Sequence, residues 1–343
     1  MPDDLDHPTL PETAPLGADL LTQRARDLAG IQLTGAPRVL RDTTNFMMID
    51  RGDVLELGGH PYLVCGNERE GRFGIDDQPK YWVKRAVSLL TGRVHVIKLV
   101  FHESFSTGVN GEQYTCERSA RKEAQVLGAV RGHPNFMHGN AVLDEAGNLV
   151  RIIDFIEGQT LLEYLGGLKI SHEQYVDQIL PQVLAETYDC IAGIAYLHGR
   201  GLCHGDIRND HVIIDAHTGR ARWIDFDFTR PSLAFDVWSL GNVLNCVLAK
   251  GFVTFHGLRG SLPALLDRLT EDDASVFFPH RLMNLDKVYP HLPQGLTHML
   301  RRFAVGSCER YQRAYQVLDD LGVCMDTLGW PRRGHVSCET VKP

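Results

Sequence analysis

Residues 196–241 read YLHGRGLCHGDIRNDHVIIDAHTGRARWIDFDFTRPSLAFDVWSLG and hold the densest structural information in the chain. Two short runs in it, VIID (212–215) and ARWIDF (221–226), are rich in β-branched or aromatic residues and flank a Thr-Gly turn signal. This pattern predicts an antiparallel pair of strands joined by a tight turn. Such a pair can present the carboxylates of Asp206 and Asp225 at one end of a cleft.

Two carboxylates in that arrangement suit a metal-nucleotide site, because one can orient a hydroxyl nucleophile while the other holds Mg²⁺ on the phosphates. The surrounding motifs resemble those of the protein-kinase-like phosphotransferases. HGDIRNDH (204–211) resembles their catalytic loop, and IDFD (224–227) resembles their metal-binding segment. DVWSLG (236–241) resembles the start of their buried central helix. The resemblance extends over roughly residues 70–322.

Composition and charge restrict the class of protein. The chain has 343 residues, 43% of them apolar, which is enough for one large core or two lobes. A net charge of −8 and a pI near 6.0 argue against a nucleic-acid-binding role. No run approaches the roughly 18 apolar residues of a membrane helix, so no membrane insertion is expected.

Targeting and redox signals point to the cytoplasm. Residues 1–17 are acidic and Pro-rich and lack the basic-then-apolar order of a secretory signal. The 8 cysteines form no CxxC pair, and several lie inside apolar segments. This distribution predicts free thiols in a reducing cytoplasm.

The periodicity of apolar residues changes from two to 3.6 after Gly158, which predicts a two-lobed α+β fold with a β-rich N-lobe and a helical C-lobe. Residues 1–50 are expected to form a partly disordered N-terminal extension. The protein-kinase-like N-lobe, with an extra N-terminal hairpin, is assigned to residues 51–157 and the C-lobe to residues 158–326. A C-terminal tail is assigned to residues 327–343.

The resemblance implies a set of nucleotide-binding residues in the N-lobe. Lys98 in HVIKLV matches the strand lysine that holds the α- and β-phosphates, and Glu123 in RKEAQVL matches the helix glutamate that pairs with it. DFIEGQ resembles the hinge whose backbone meets the adenine edge, which assigns Asp154 and Ile156 to the nucleotide site. Val83, which follows the phosphate-covering loop, completes this set.

A second set lies in the C-lobe. Asp206 matches the catalytic aspartate, which aligns the acceptor hydroxyl with the γ-phosphorus. Arg208 stands where the family usually has lysine and could neutralise γ-phosphate charge. Asp225 matches the principal Mg²⁺ ligand.

His211 takes the place of an asparagine that is usually a second metal ligand. Imidazole binds Mg²⁺ poorly because that ion prefers oxygen. Three alternatives follow: one metal suffices, a softer ion such as Mn²⁺ is accepted, or His211 packs against Asp206 or Asp225.

Other positions depart from the protein-kinase pattern. The glycine positions of the phosphate-covering loop fall on Asp76, Gln78 and Tyr81, which predicts weak nucleotide binding or an open loop. Gly205 replaces the arginine that reads a phosphorylated activation segment, so regulation through that pairing is not expected. Arg310 resembles a helix arginine whose usual glutamate partner is missing, and it must therefore have another partner.

The segment after Asp225 is short, with about ten residues before Asp236. In protein kinases this segment is much longer and helps to form the peptide-docking surface. The short segment, together with the glycine beside Asp206, is similar to aminoglycoside and choline phosphotransferases.

Three functions follow from these observations. The first is an ATP-dependent phosphotransferase that uses ATP with Mg²⁺, or Mn²⁺, to phosphorylate Ser or Thr hydroxyls of a protein. The second is a small-molecule kinase of the aminoglycoside or choline type. The third is a pseudokinase that serves as a nucleotide-binding scaffold. The sequence names neither a particular acceptor protein nor an oligomeric state.

Overall fold

The computed structural model describes residues 16–72, 75–109, 112–230 and 232–332, which divide into two compact units. The N unit comprises the chain up to Glu103, Arg118–Arg131 and Met137–Ile156. The C unit comprises Ser104–Glu117, Gly132–Phe136 and the chain from Glu157 onward. The N unit is built on a β-sheet and the C unit is mainly helical, which confirms the predicted α+β fold with a β-rich N-lobe and a helical C-lobe.

The strands of the described residues are β1 (Val39–Leu40), β2 (Val54–Leu57), β3 (His60–Arg72), β4 (Ile75–Ser88), β5 (Val94–Lys98), β6 (Ser104–Val109), β7 (Glu112–Glu117), β8 (Gly139–Leu143), β9 (Leu149–Asp154), β10 (Gly158–Thr160), β11 (Val212–Asp215) and β12 (Ala221–Trp223). The α-helices are α1 (Ala18–Ala29), α2 (Ala120–Ala129), α3 (Leu161–Gly167), α4 (His172–Gln178), α5 (Leu180–His198), α6 (Ala234–Ala249), α7 (Phe255–Ser261), α8 (Gln294–Arg301) and α9 (Ala314–Leu328). Short 3-10 helices span Phe46–Met48, Asn209–His211, Pro263–Arg268, Glu271–Asp273 and Leu285–Lys287.

The sheet of the N unit has the strand order β1-β2-β3-β4-β5-β9-β8. β1 runs parallel to β2, and the other neighbouring strands pair antiparallel. The register places Lys98 of β5 opposite Val83 of β4 on one side and opposite Arg151 of β9 on the other. Three side chains from three strands therefore lie side by side.

Apolar side chains cover both faces of this sheet. One cluster consists of Ile49, Leu55, Leu57, Tyr62, Val64, Ala86, Ile97, Leu99, Val150 and Ile152. The other consists of Leu21, Ala25, Val54, Leu63 and Leu89. Val54 and Leu55 belong to different clusters because successive side chains of a strand point to opposite faces. Leu21 and Ala25 lie one turn apart on α1 and belong to the second cluster. Through them, part of the predicted N-terminal extension packs against the sheet of the N unit.

The centre of the C unit is α6, which is buried along almost its whole length. Gly241 allows this helix to approach its neighbour closely, because a Cβ atom there would lie 2.5 Å from ring atoms of Phe303. The predicted strand pair is present as β11 and β12, with Val212 opposite Trp223 and Ile214 opposite Ala221. A third strand, β10, pairs antiparallel with β11.

The C unit also contains a hairpin that was not predicted from the sequence. β6 and β7 pair antiparallel from Ser104 opposite Glu117 to Val109 opposite Glu112. In the chain this hairpin lies between β5 and α2, both of which belong to the N unit.

The described residues contain no helix that combines the length and the apolar character needed to cross a membrane. None of their cysteines forms a disulfide bond; these are Cys65, Cys116, Cys190, Cys203, Cys246, Cys308 and Cys324.

Candidate active site

Lys98 and Glu123 form an ion pair inside the N unit. The Lys98 ammonium lies 2.7 Å from Glu123 Oε1, and the two residues are only 4% and 0% exposed. The β-ladder on both sides of β5 holds Lys98 in place. Glu123 lies in the first turn of α2, whose N-terminus is capped by Ser119 through a hydrogen bond from the Lys122 amide. The pairing expected from the sequence is therefore present.

Arg151 is a third member of this cluster and was not among the residues predicted from the sequence. Its Nε donates to Glu123 Oε2 over 3.0 Å, so each oxygen of Glu123 faces a different cation. The guanidinium also donates to the backbone carbonyls of Leu149 and Leu99. An arginine in the otherwise apolar strand LVRIID was the available signal, because an arginine buried in a strand is rare without a paired anion.

The remaining N-unit candidates lie on β4 and at the end of β9. Val83 is buried beside Lys98 in the register of β4 and β5. Asp154 ends β9, where its carboxylate lies 3.3 Å from Arg93 and its amide donates to the His138 carbonyl. Ile156 is buried two residues further on.

The positions expected to carry phosphate-loop glycines lie on β4, which pairs with β3 as a long irregular hairpin. Gln78 is exposed and stands opposite Glu70, and Tyr81 is exposed as well. The side chain of Asp76 lies outside the part of the chain that the structure describes.

In the C unit, Asp236 anchors the backbone just before Asp206. The amides of His204 and Gly205 donate to its two carboxylate oxygens over 2.7 and 2.8 Å, and His198 Nε2 lies 3.0 Å away. Burial would raise the pKa of Asp236, but the His198 hydrogen bond and charge, with the backbone hydrogen bonds, lower it below its usual range. The sequence marked this aspartate only as part of a helix start. Its structural role is to hold the backbone of His204 and Gly205.

The carboxyl group of Asp206 has a raised pKa. Burial is the largest cause and the nearby Asp227 carboxylate adds to it, while His211 and Arg208 act in the opposite direction. A carboxylate with a raised pKa is a stronger proton acceptor, which suits a group that receives a hydrogen bond from a hydroxyl.

His211 lies between Asp206 and Asp225. Its Nδ1 is 2.8 Å from the Asp206 backbone carbonyl oxygen. Because a carbonyl only accepts hydrogen bonds, Nδ1 must carry a proton. The other nitrogen, Nε2, faces Asp225 Oδ2 at 3.8 Å. His211 therefore contacts the Asp206 backbone through Nδ1, and its Nε2 faces the aspartate that the sequence assigned to the metal.

The backbone of Asp225 is strained. Its φ is 59°, a left-handed conformation that only one other non-glycine residue of the described chain, Lys250, adopts. This conformation costs roughly 1–2 kcal/mol for an L-residue. Such strain concentrates at functional sites, where the surrounding structure enforces it.

The donor set around Asp225 fits a magnesium site that is completed by a substrate. The described residues contain no group of three or more His, Cys, Asp and Glu side chains arranged to enclose a metal. Mg²⁺ is usually bound through one or two carboxylates together with phosphate oxygens and water. The partly exposed carboxylate of Asp225 meets that requirement, whereas the imidazole of His211 beside it adds no oxygen ligand.

Two arginines with expected roles have local partners. Two guanidinium nitrogens of Arg208 donate to the carboxylate of Asp210, and the distance from Nε to Asp210 Oδ1 is 3.0 Å. Although burial raises the pKa of Asp210, this hydrogen bond lowers it to a value below the usual range. Arg310 donates over 2.5 Å to the backbone carbonyl of Val305, which stands in for the missing glutamate.

The comparisons with known proteins agree with these motifs. A family model described as the protein kinase domain matches residues 82–233. The chain is 23% identical over 150 residues to a putative ribosomal protein S6 kinase alpha-2 of Caenorhabditis elegans, an alignment covering 43% of this chain and 17% of that protein. It is 26% identical over 276 residues to the serine/threonine-protein kinase GRIK1 of Arabidopsis thaliana, covering 69% of this chain and 60% of that protein.

Among solved structures, a double mutant of the PknI kinase domain of Mycobacterium tuberculosis superposes with a TM-score of 0.47 at 15% identity. That match covers 77% of this chain and 95% of the solved chain. The chain spans less than a fifth of the length of the nematode relative and 60% of the plant relative.

Proposed function

Because the chain belongs to the protein-kinase-like superfamily, we propose that it is an ATP-dependent phosphotransferase that phosphorylates serine or threonine hydroxyls of a protein. The observation that carries the proposal is the group formed by Asp206, His211 and Asp225 in the C unit. The buried pair of Lys98 and Glu123 in the N unit supports it independently. Relatives named as serine/threonine-protein kinases favour a protein as the acceptor.

Lys98 would hold the α- and β-phosphates of ATP, with Glu123 keeping its ammonium in position. The second cation beside Glu123, Arg151, would keep this carboxylate oriented. Val83 and Ile156 would contribute apolar contacts to the adenine ring, and the backbone at Asp154 and Ile156 would meet its polar edge. These groups bind and orient the nucleotide and exchange no proton with it.

Asp206 would accept a hydrogen bond from the acceptor hydroxyl and take up its proton as the oxygen bonds to the γ-phosphorus. The bond between the γ-phosphorus and the β,γ-bridging oxygen breaks, and ADP leaves. The raised pKa of Asp206 favours this proton uptake. Arg208 would act on the γ-phosphate only after it releases Asp210.

Asp225, with His211 beside it, would hold Mg²⁺ or Mn²⁺, which supplies charge neutralisation on the phosphates when bound. The protonated Nδ1 of His211 fixes the ring against Asp206, so that Nε2 is the nitrogen that can face the ion. We further propose that the protein acts in the cytoplasm, where the thiols of its free cysteines remain reduced.

A small-molecule acceptor is the second candidate. The supporting observation is that α6 begins at Ala234, nine positions after Asp225, which leaves little chain to form a peptide-docking surface. A nucleotide-binding scaffold without transfer is the third candidate, supported by the side chains at the phosphate-loop glycine positions.

One experiment separates the three candidates. Thermal shift with ATP and either Mg²⁺ or Mn²⁺ measures nucleotide binding, and transfer of labelled phosphate is then measured to the protein itself, to generic proteins and to aminoalcohols. Transfer to serine or threonine of a protein, absent in Asp225→Asn, is the expected result. Transfer only to a small alcohol would support the second candidate. Stabilisation by ATP without any transfer would support the scaffold.

A further inference from the structure

The side chain of Arg230 connects three parts of the C unit. Its Nε donates over 2.6 Å to the backbone carbonyl of Gly205, and its Nη1 lies 2.5 Å from Cys116 Sγ on β7. Its guanidinium carbon also lies 5.6 Å from the ring centre of Phe105 on β6 and 5.5 Å from that of Phe235 on α6. One cation thus contacts the catalytic loop, the β6–β7 hairpin and the central helix.

The contact with Gly205 involves the peptide group that leads directly into Asp206. The oxygen of this peptide accepts from Arg230, and its N–H, which belongs to Asp206, donates to His204 Nδ1 over 3.3 Å. The preceding amide, of Gly205 itself, is held by Asp236. Gly205 has a φ of 86°, which glycine adopts readily because it has no Cβ atom. Because glycine is also free to adopt other conformations, the hydrogen bonds from Arg230 and to Asp236 are needed to fix this one.

The hairpin holds the segment that carries Arg230. The Thr229 amide donates to the Glu117 carbonyl over 2.8 Å, and the Glu117 amide donates to Thr229 Oγ1 over 3.3 Å. Phe105 packs edge-on against Phe228 at 5.1 Å, and Tyr114 packs edge-on against Phe235 at 4.9 Å. These contacts position the segment without any phosphate group.

We propose that Arg230 is a positioning residue that orients the Asp206 backbone for catalysis, and that the β6–β7 hairpin holds it there permanently. This inference rests on the proposed phosphotransferase function. A charge-assisted hydrogen bond to a carbonyl inside a packed site is stronger than a neutral one and has a defined direction. The guanidinium carbon lies within cation–π distance of two rings while Nε donates, and a lysine would keep the charge without the planar fork.

The test compares Arg230→Ala with Arg230→Lys and with Arg259→Ala, a matched variant of an exposed arginine on α7. We expect kcat to fall roughly 10- to 100-fold in Arg230→Ala, as for one lost charge-assisted hydrogen bond, with KM for ATP nearly unchanged. Arg230→Lys should recover part of the rate. Added guanidinium should raise kcat of Arg230→Ala and have no effect on Arg259→Ala.

Amide hydrogen exchange of residues 204–206 provides a measurement that does not depend on activity. Faster exchange there in Arg230→Ala than in Arg259→Ala is expected. If the wild-type protein transfers phosphate, and Arg230→Ala matches it in kcat and in exchange, the positioning role is wrong and the proposed function stands. If the wild type transfers no phosphate, the proposed function fails. In that case, equal amide exchange of residues 204–206 in Arg230→Ala and Arg259→Ala would show that Arg230 does not hold this backbone. Faster exchange in Arg230→Ala would show that it does hold the backbone but has no catalytic role.

Discussion

The ammonium of Lys98 lies 2.7 Å from one carboxylate oxygen of Glu123, and both side chains are excluded from solvent. The other oxygen of Glu123 binds Arg151. The cluster therefore contains two cations and one anion. Loss of the Glu123 carboxylate would leave the buried charges of Lys98 and Arg151 without a partner in this cluster.

Glu123→Gln should lower the free energy of unfolding by about 3–5 kcal/mol, because it leaves two buried cations without an anion. Arg151→Met should be less damaging, since a neutral ion pair remains. Chemical denaturation of both variants measures this difference. Glu68→Gln, which removes a partly exposed partner of Arg85, serves as the control and should cost no more than about 1 kcal/mol. Equal costs for Glu123→Gln and Glu68→Gln would contradict the assignment.

Asp225→Asn should abolish phosphate transfer while the fold is retained, since asparagine also tolerates the left-handed backbone at this position. Lys98→Met should reduce the rate on the order of 100-fold or more, because a phosphate contact in a dry site is lost. Transfer rates and melting temperatures are measured together. Near-wild-type rates in both variants with unchanged melting would show that these residues are not part of a catalytic site.

Activity should not require phosphorylation of the segment after Asp225, because Gly205 replaces the phosphate-reading arginine and the hairpin already holds this segment. Thr229 and Ser232 are its hydroxyl residues. The double variant Thr229→Ala, Ser232→Ala should keep most of its activity. Ser232→Ala alone is the control, because Thr229 also hydrogen-bonds to Glu117. A large loss of activity that phosphatase treatment of the wild type reproduces would count against this expectation.

His211→Asn should improve the use of Mg²⁺ relative to Mn²⁺, because it replaces an imidazole nitrogen beside Asp225 with an amide that offers oxygen. The measurement is transfer rate against the concentration of each metal. His217→Asn, an exposed histidine on the turn between β11 and β12, is the control. An unchanged metal preference in His211→Asn would identify His211 as a packing residue and leave Asp225 as the chief ligand.

Asp236→Asn should destabilise the protein by about 1–3 kcal/mol near neutral pH, because the buried amides of His204 and Gly205 lose a charged hydrogen-bond acceptor. The pKa of Asp236 is lowered in the folded state, so its stabilising contribution is present above the ordinary value of 3.8 and is lost as the pH falls through the lowered value. Denaturation across pH 2–7 should therefore show the gap between variant and wild type closing only at acid pH. Asp267→Asn, at an exposed position, is the control, and its difference in stability from the wild type should not change with pH. A difference between Asp236→Asn and the wild type that stays constant across this pH range would refute this account.

The local motifs predicted most of the catalytic-loop region. Runs rich in β-branched or aromatic residues on either side of Thr-Gly predicted β11 and β12, and the change of period after Gly158 predicted the helical lobe. Short-range patterns of this kind are readable because side-chain direction in helices and strands follows directly from backbone geometry. The pairing of Lys98 with Glu123, 25 residues apart, was expected only from the family resemblance.

The sequence by itself determined the order of the lobes, the central helix and the strand pair that lies between Asp206 and Asp225. Tertiary structure alone set the contacts made by Arg151, which meets Glu123 across 28 residues, and by Arg230, which meets Cys116 across 114 residues. Both arginines stand in segments whose local pattern does not indicate which residue is the partner. A side chain's partner across such a separation depends on how strands and helices pack together, and packing is a property of the whole fold that no local period encodes.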